Sequence, residues 1–370
     1  MSTEAAAVSV PAPAPDPAVA ATGGSARGSG RLSWTRDLRT ARILRYAFGI
    51  TVAVLVSFAF AWPLFFLTPV LAAVLLGMPL PGPGLKQVGS LVVDLGAAVF
   101  LGLAFTLFLI PYPLVYIPLL GLVLFRIYYS LNRGGSLWRV LMVLIAVLIL
   151  PLLGNSGDGL PMAFAGWFVW SGGLAIGFYL LAHTLFPDPE AAPRPPRKPR
   201  LRGYVPAAAN AALRSTLVTL PLAVVFIAQN WASQVLVLVM AAIFTLMPDL
   251  AKSRAAGVNS LTSTLIGGLA ALLVYWLIVA VPELYFFGLV MFVVMLSFAR
   301  AIFSAGPRAA YMGSAATTVI VLIGSVMGED ASFSDVFLTR VLLIAAATLY
   351  VVVALGLMQR LWASPGAKAS

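Results

Sequence analysis

Only 9% of this 370-residue chain is charged, and it holds one histidine and no cysteine, so chemistry has to be sought at the few ionisable side chains inside apolar runs. Asp94 lies six residues into the run Val88 to Ile110. That is about 9 Å deep if the run is helical, where insertion of a charge costs about 2.5–3.5 kcal/mol. Two chemistries would account for it: a carboxylate that alternates between protonated and ionised forms and couples proton entry to movement of a solute, or a fixed ion pair with Arg45 or Arg214. These two arginines occupy corresponding depths in their own runs. They read either as anchors that bend toward the headgroups or as vestibule residues that attract an anion. Arg340 sits five residues into the last run, beside Asp335 and close to Glu329 and Asp330. It is either paired with one of these acids or offers a bidentate guanidinium to a carboxylate. Trp167 and Trp170 flank Ser171-Gly172-Gly173 and a Gly173-x-x-x-Gly177 pair, which could expose flat rings to a cavity or simply let helices pack closely. His183 reads as an interfacial residue or a proton relay.

Positioning these residues requires membrane helices. The chain is 61% hydrophobic, with a mean hydropathy of +1.01, too apolar for a water-facing shell. A crossing helix needs about 20 residues, and twelve runs qualify as candidates, in two sets of six: Ile43 to Ala61, Leu64 to Met78, Val88 to Ile110, Leu114 to Phe125, Leu137 to Leu153 and Pro161 to Phe186, then Leu213 to Ala228, Ala232 to Met247, Val258 to Val281, Leu284 to Ala299, Ala309 to Met327 and Val336 to Met358. The second and fourth of each set are short and follow tight turns, so they predict hairpins that do not all cross fully.

The two sets are copies. WPLFFLTPVLAAVLLGMP at 62–79 and WASQVLVLVMAAIFTLMP at 231–248 align at a shift of 169, which also pairs Arg45 with Arg214. A shift of 168 pairs Lys86-x-x-Gly89 with Arg254-x-x-Gly257, and one of 174 pairs Arg126 with Arg300 and Gly154 with Gly328. Scarce residues carry this alignment, and they point to one duplicated unit. Ala98-x-x-x-Gly102 and Gly267-x-x-x-Ala271 also correspond and predict close helix packing. Asp94, by contrast, faces Thr262 or Ser263 in the second copy.

Charge sorts the loops. With the amino terminus cytoplasmic, the inner loops hold Lys86, then Arg126, Arg133 and Arg139, then five arginines and lysines of 187–202, then Lys252 and Arg254, then Arg300 and Arg308, whereas the outer loops hold only Asp158, Glu283, Glu329, Asp330 and Asp335. The positive-inside rule then gives twelve spans with both termini cytoplasmic. Six spans per copy make the halves parallel repeats with a shared site between them near mid-membrane. The expected organisation is an all-α integral membrane protein: a disordered basic tail at 1–40, the first repeat at 41–186, a Pro/Arg-rich cytoplasmic linker at 187–206, the second repeat at 207–362 and a tail at 363–370. Leu32, Trp34 and Leu38 among four arginines form either a short helix on an anionic leaflet or a solvated linker. Trp62 and Trp231 read as an interfacial aromatic belt.

No HExxH, GxSxG or glycine-rich phosphate loop occurs, so no enzymatic chemistry, direct use of ATP, cofactor or metal is expected, and the net charge of +11 is spent on topology rather than nucleic acid.

An arginine in the first span, a Trp/Pro turn, a short second span ending in proline and a basic-x-x-Gly opening of the third resemble the fusaric acid resistance and aromatic acid exporter family, over residues 41–186 and 207–362. Here the third-span openings read Lys86-x-x-Gly89-Ser90 and Arg254-x-x-Gly257-Val258. The resemblance implies a bacterial inner-membrane pump, driven by proton motive force, that expels aromatic carboxylic acids or similar toxic small molecules, with a periplasmic adaptor as partner and a homo-oligomer left open. A passive channel or a membrane scaffold is the alternative from another class, and an intramembrane lipid-modifying enzyme is the least supported.

Overall fold

No water reaches the hydrocarbon to satisfy a peptide N–H or C=O, so a chain this apolar has to close its hydrogen bonds within helices. The computed structural model describes residues 38–78, 83–157, 159–188, 203–232, 235–245, 250–304, 306, 309–328 and 333–362. Among the described residues there is no strand, and twelve α-helices form: α1 (Leu38–Phe60), α2 (Leu67–Gly77), α3 (Leu85–Ala104), α4 (Pro113–Asn132), α5 (Leu137–Ser156), α6 (Leu160–Leu185), α7 (Pro206–Ala228), α8 (Val235–Phe244), α9 (Leu250–Ala280), α10 (Leu284–Ile302), α11 (Ala309–Gly328) and α12 (Phe333–Trp362). Nine of the described helices are long and apolar enough to cross a membrane. The tail at 1–37, most of the linker and the residues after 362 lie outside the described residues. Of the expected surface helix, only its last residues are described, and they open α1.

Helix lengths revise the expectation about hairpins. α4 has 20 residues and α10 has 19, enough to cross, because the helices continue past Phe125 and Ala299 through Arg126 and Arg300. α2 and α8 have 11 and 10 residues, roughly half of a crossing length. Proline opens α4 and α7, where its fixed φ suits a first turn and its missing N–H is not needed. α3 runs on into a π-helical turn, Phe105–Leu109, where the Thr106 hydroxyl donates to the Gly102 carbonyl at 2.8 Å.

Helix neighbours follow a rule. α3 packs on α5 and α9 on α11; α2 on α6 and α8 on α12; α1 on α10 and α7 on α4; α2 on α11 and α8 on α5. Each relation recurs when six is added to the helix numbers, counting around from twelve to one. The residues at 38–188 therefore meet those at 203–362 along two seams, α1–α2 with α10–α11 and α4–α5 with α7–α8. Small residues set the closest approaches. A methyl group on Gly102 would come within 2.7 Å of the Ala146 carbonyl oxygen, and one on Gly267 within 2.5 Å of that of Ala315. The α3–α5 and α9–α11 contacts thus rest on the two corresponding small-residue motifs.

Contacts between helix ends give the direction of the chain. The start of α1 meets the end of α6 through Arg45 and Asp188, the end of α4 meets the residue before α7 through Tyr129 and Val205, and the end of α10 meets α1 through Phe303 and Tyr46. Odd helices begin, and even helices finish, at one end of the bundle. Every described Lys and Arg side chain lies in the half of its helix nearer that basic end or in the turn beside it, while Glu283 and Asp335 lie at the other. Between them the outer surface is lipid-like, with Phe100, Leu114 and Leu269 more than 70% exposed.

Candidate functional site

The turn between α4 and α5 is only four residues long, and Gly134 holds its left-handed φ of +83°. Ser136 caps α5 by accepting a hydrogen bond from the Arg139 N–H at 3.4 Å, which satisfies a donor of the first turn. The Trp138 indole then donates to the Leu91 carbonyl at 3.2 Å, and Arg139 Nε donates to Asp94 Oδ1 at 2.7 Å. Leu91 and Asp94 are three apart on one face of α3, and two successive residues of α5 grip them.

Asp94 is 5% exposed. Its partner is Arg139, not Arg45 or Arg214 as the sequence suggested. The reason is packing: α3 lies along α5 and α6, whereas α1 lies on α2, α6 and α10, and α7 on α4 and α8. In the second half a neutral contact joins α9 to α11 beside the aligned positions, Ser263 Oγ donating to Ser314 Oγ at 3.1 Å.

Arg139 is 45% exposed. Asp94 takes its Nε, and among the described residues its two terminal amino groups have no acceptor. They border a cavity of about 300 Å³ lined by Arg126, Arg139 and Ser130 and walled by Leu101, Leu122, Val123, Ile127, Val140 and Val143. Arg126 is exposed and has no hydrogen-bond partner among the described residues. The cavity surface is thus almost wholly apolar, with two arginines among the residues that line it.

Arg45 and Arg214 share a position in the repeat but not an environment. Arg45 is 4% exposed; its guanidinium pairs with Asp188, and its Nε donates to the Ala41 carbonyl at 3.4 Å. It tethers the chain leaving α6 to the start of α1. Arg214 is exposed on α7. Near Arg45, Gln87 donates to the Tyr179 hydroxyl at 3.5 Å, and the His183 ring lies 4.3 Å from that of Tyr179 with its Nδ1 2.9 Å from the Tyr179 carbonyl oxygen. Gln87 thus joins α3 to α6 through Tyr179, while both of these His183 contacts lie within α6.

Trp170 is 53% exposed on the outer face of α6, and Trp167 is half-buried. A methyl group on Gly173 or Gly177 would meet nothing within 4 Å, whereas one on Gly172 would strike Leu95 at 2.6 Å. The packing face of α6 is offset by one residue from the expected pair, so among the described residues these glycines bring no helix close. Trp231 is 47% exposed beside Phe226, and Trp62 stacks on Phe60. The side chain of Arg340 lies outside the described residues.

A further polar group, unmarked by any motif, lies on the α4–α7–α8 seam. The Tyr128 hydroxyl is within 2.9 Å of the Thr219 hydroxyl and 3.0 Å of the Thr245 hydroxyl and donates to the Ala242 carbonyl at 3.0 Å. Ser215 donates to the Thr245 carbonyl. The sequence alignment places Ile302, Ile50, Leu76 and Tyr46 at the matching positions of the other seam, so this polar group is not repeated there. On the α1–α2 side, the Ser57 and Thr68 hydroxyls are fully buried without a partner among the described residues.

No curated protein and no solved structure matches the chain. Over residues 42–181, which run from the first turn of α1 through most of α6, the chain is similar to a family described as a protein of unknown function (DUF2955).

Proposed function

We propose that this protein is a proton-coupled efflux transporter of a bacterial inner membrane that carries aromatic carboxylic acids or similar small anions outward. In this reading the chain is two parallel six-helix repeats with cytoplasmic termini, the solute passes along the seams between them, and a periplasmic adaptor receives it. The observation that carries the reading is the Asp94–Arg139 pair, an ionised couple on membrane helices whose arginine has donors to spare. Ionisable groups inside a bilayer are functional by default because their cost must be offset. A proton arriving at Asp94 removes the counter-charge of Arg139 and loosens the hold of α5 on α3, so the packing of these helices changes with protonation. The buried Ser57 and Thr68 hydroxyls on the α1–α2 seam support a path for a polar solute, because such groups in a dry core go unsatisfied otherwise. An anion leaving a negative interior also gains about 2.3 kcal/mol per 100 mV from the membrane potential.

Reconstitution in liposomes tests this. Uphill movement of benzoate under an imposed pH gradient, lost in Asp94→Asn, is the expected result; downhill leakage alone would replace the exporter by a passive channel.

A further inference from the structure

The cavity of Arg126 and Arg139 is lined by residues of α3, α4 and α5 alone, all from one half of the chain. We infer that it is a binding site for the phosphate headgroup of an anionic phospholipid from the leaflet at the basic end. The inference does not rest on the transport reading.

Three features of the cavity point to this occupant. The first is level. Arg139 is the third residue of α5 and Arg126 lies six residues before the end of α4, about 9 Å from it, within reach of the headgroup layer for a long side chain. From the Asp94–Arg139 pair, the apolar wall continues along α3 to Leu101, seven residues or about 10 Å further, room for the upper part of one acyl chain. Beyond it, Phe100 and Phe108 present 75% and 71% exposed rings on which the remaining chain can lie.

The second is charge. Two guanidiniums less the Asp94 carboxylate leave one net positive charge, which matches a single phosphodiester anion. The free donors of Arg139, those of Arg126 and the Ser130 hydroxyl suit its oxygens.

The third comes from comparing the halves. Arg126 has a counterpart in Arg300, but where the first half has Asp94 and Arg139 the sequence alignment gives Ser263 and Gly313 in the second. One arginine per half suffices as an interfacial anchor; the second guanidinium and its balancing acid occur in one half only, at the cavity. Basic pockets between membrane helices on the positive side are the arrangement that holds lipid headgroups.

Native mass spectrometry of the purified full chain with dioleoylphosphatidylglycerol, and in parallel dioleoylphosphatidylcholine, tests the assignment. Phosphatidylglycerol should be retained over phosphatidylcholine, and its retention should fall about fivefold or more in Arg126→Gln. The same fall is expected in the double variant Asp94→Asn/Arg139→Gln, which removes a guanidinium without stranding a carboxylate. Arg300→Gln should leave retention within about twofold of the parent. Equal retention of the two lipids, or an equal loss in Arg300→Gln, would overturn the inference in favour of general attraction to a basic surface. Displacement of the lipid by millimolar benzoate or inorganic phosphate would overturn it in favour of a site for small soluble anions. Neither result depends on whether the protein transports anything.

Discussion

Asp94 and Arg139 stand or fall together. Arg139→Gln leaves a carboxylate buried without its partner and should lower stability by about 1–3 kcal/mol, toward the lower figure because Arg139 itself is half in solvent. Adding Asp94→Asn to that variant should recover most of the loss, since a neutral amide and carboxamide can meet as Ser263 and Ser314 do. Thermal unfolding in detergent reads both; a double variant no more stable than Arg139→Gln would mean that the pair does not hold α3 to α5. Asp94 was legible as an anomaly because its repeat counterpart is uncharged. Arg139 carried the same signal, a charge without a counterpart in the other copy, and two opposite unmatched charges in one half are a reason to look for a pair. Which arginine met Asp94 was not legible, since 45 residues and a whole helix separate the two in the chain.

At the scale of the helix, the small-residue motifs divide into those that bring backbones together and those that do not. Gly102→Leu and Gly267→Leu should each destabilise the bundle by about 1–3 kcal/mol through overpacking against a neighbouring carbonyl, while Gly173→Leu should leave the melting temperature of the purified chain within error. A melting point lowered equally by all three would place a helix against the open face of α6. Sequence spacing picked out Ala98-x-x-x-Gly102, Gly267-x-x-x-Ala271 and Gly173-x-x-x-Gly177 alike. The first two meet helices and the third does not, because in a membrane both the lipid face and the packed face of a helix are apolar, so periodicity cannot tell them apart. The lengths of α4 and α10 were missed for a related reason. Arg126 and Arg300 look like the ends of apolar runs, yet near the headgroups an arginine can continue a helix with its charge turned to water.

The segregation of charge between the two ends governs the molecule as a whole. The chain has no cysteine, so single cysteines report position without background. With a membrane-impermeant thiol reagent on intact cells, Glu283→Cys should label and Lys86→Cys should label only after the membrane is opened. The reverse pattern would invert the bundle, and labelling of both on intact cells would break the alternation of its helices. The neighbour rule, in which the main contacts recur six helices later, adds a second whole-molecule feature: the segments at 38–188 and 203–362 are interlocked along two seams rather than set side by side.

Composition, hydropathy and the positions of the scarce charged residues determined by themselves that the chain builds apolar helices suited to a membrane. This follows from local physics: insertion into hydrocarbon depends on the residues of one helix at a time. Only the tertiary structure decided that Arg139 holds Asp94, that Arg45 is tied to Asp188, that the Gly173 face of α6 is open and that Tyr128 joins Thr219 and Thr245 across a seam. Those depend on which apolar face meets which, a choice made by shape and by a few hydrogen bonds, and no hydrophobic pattern records it.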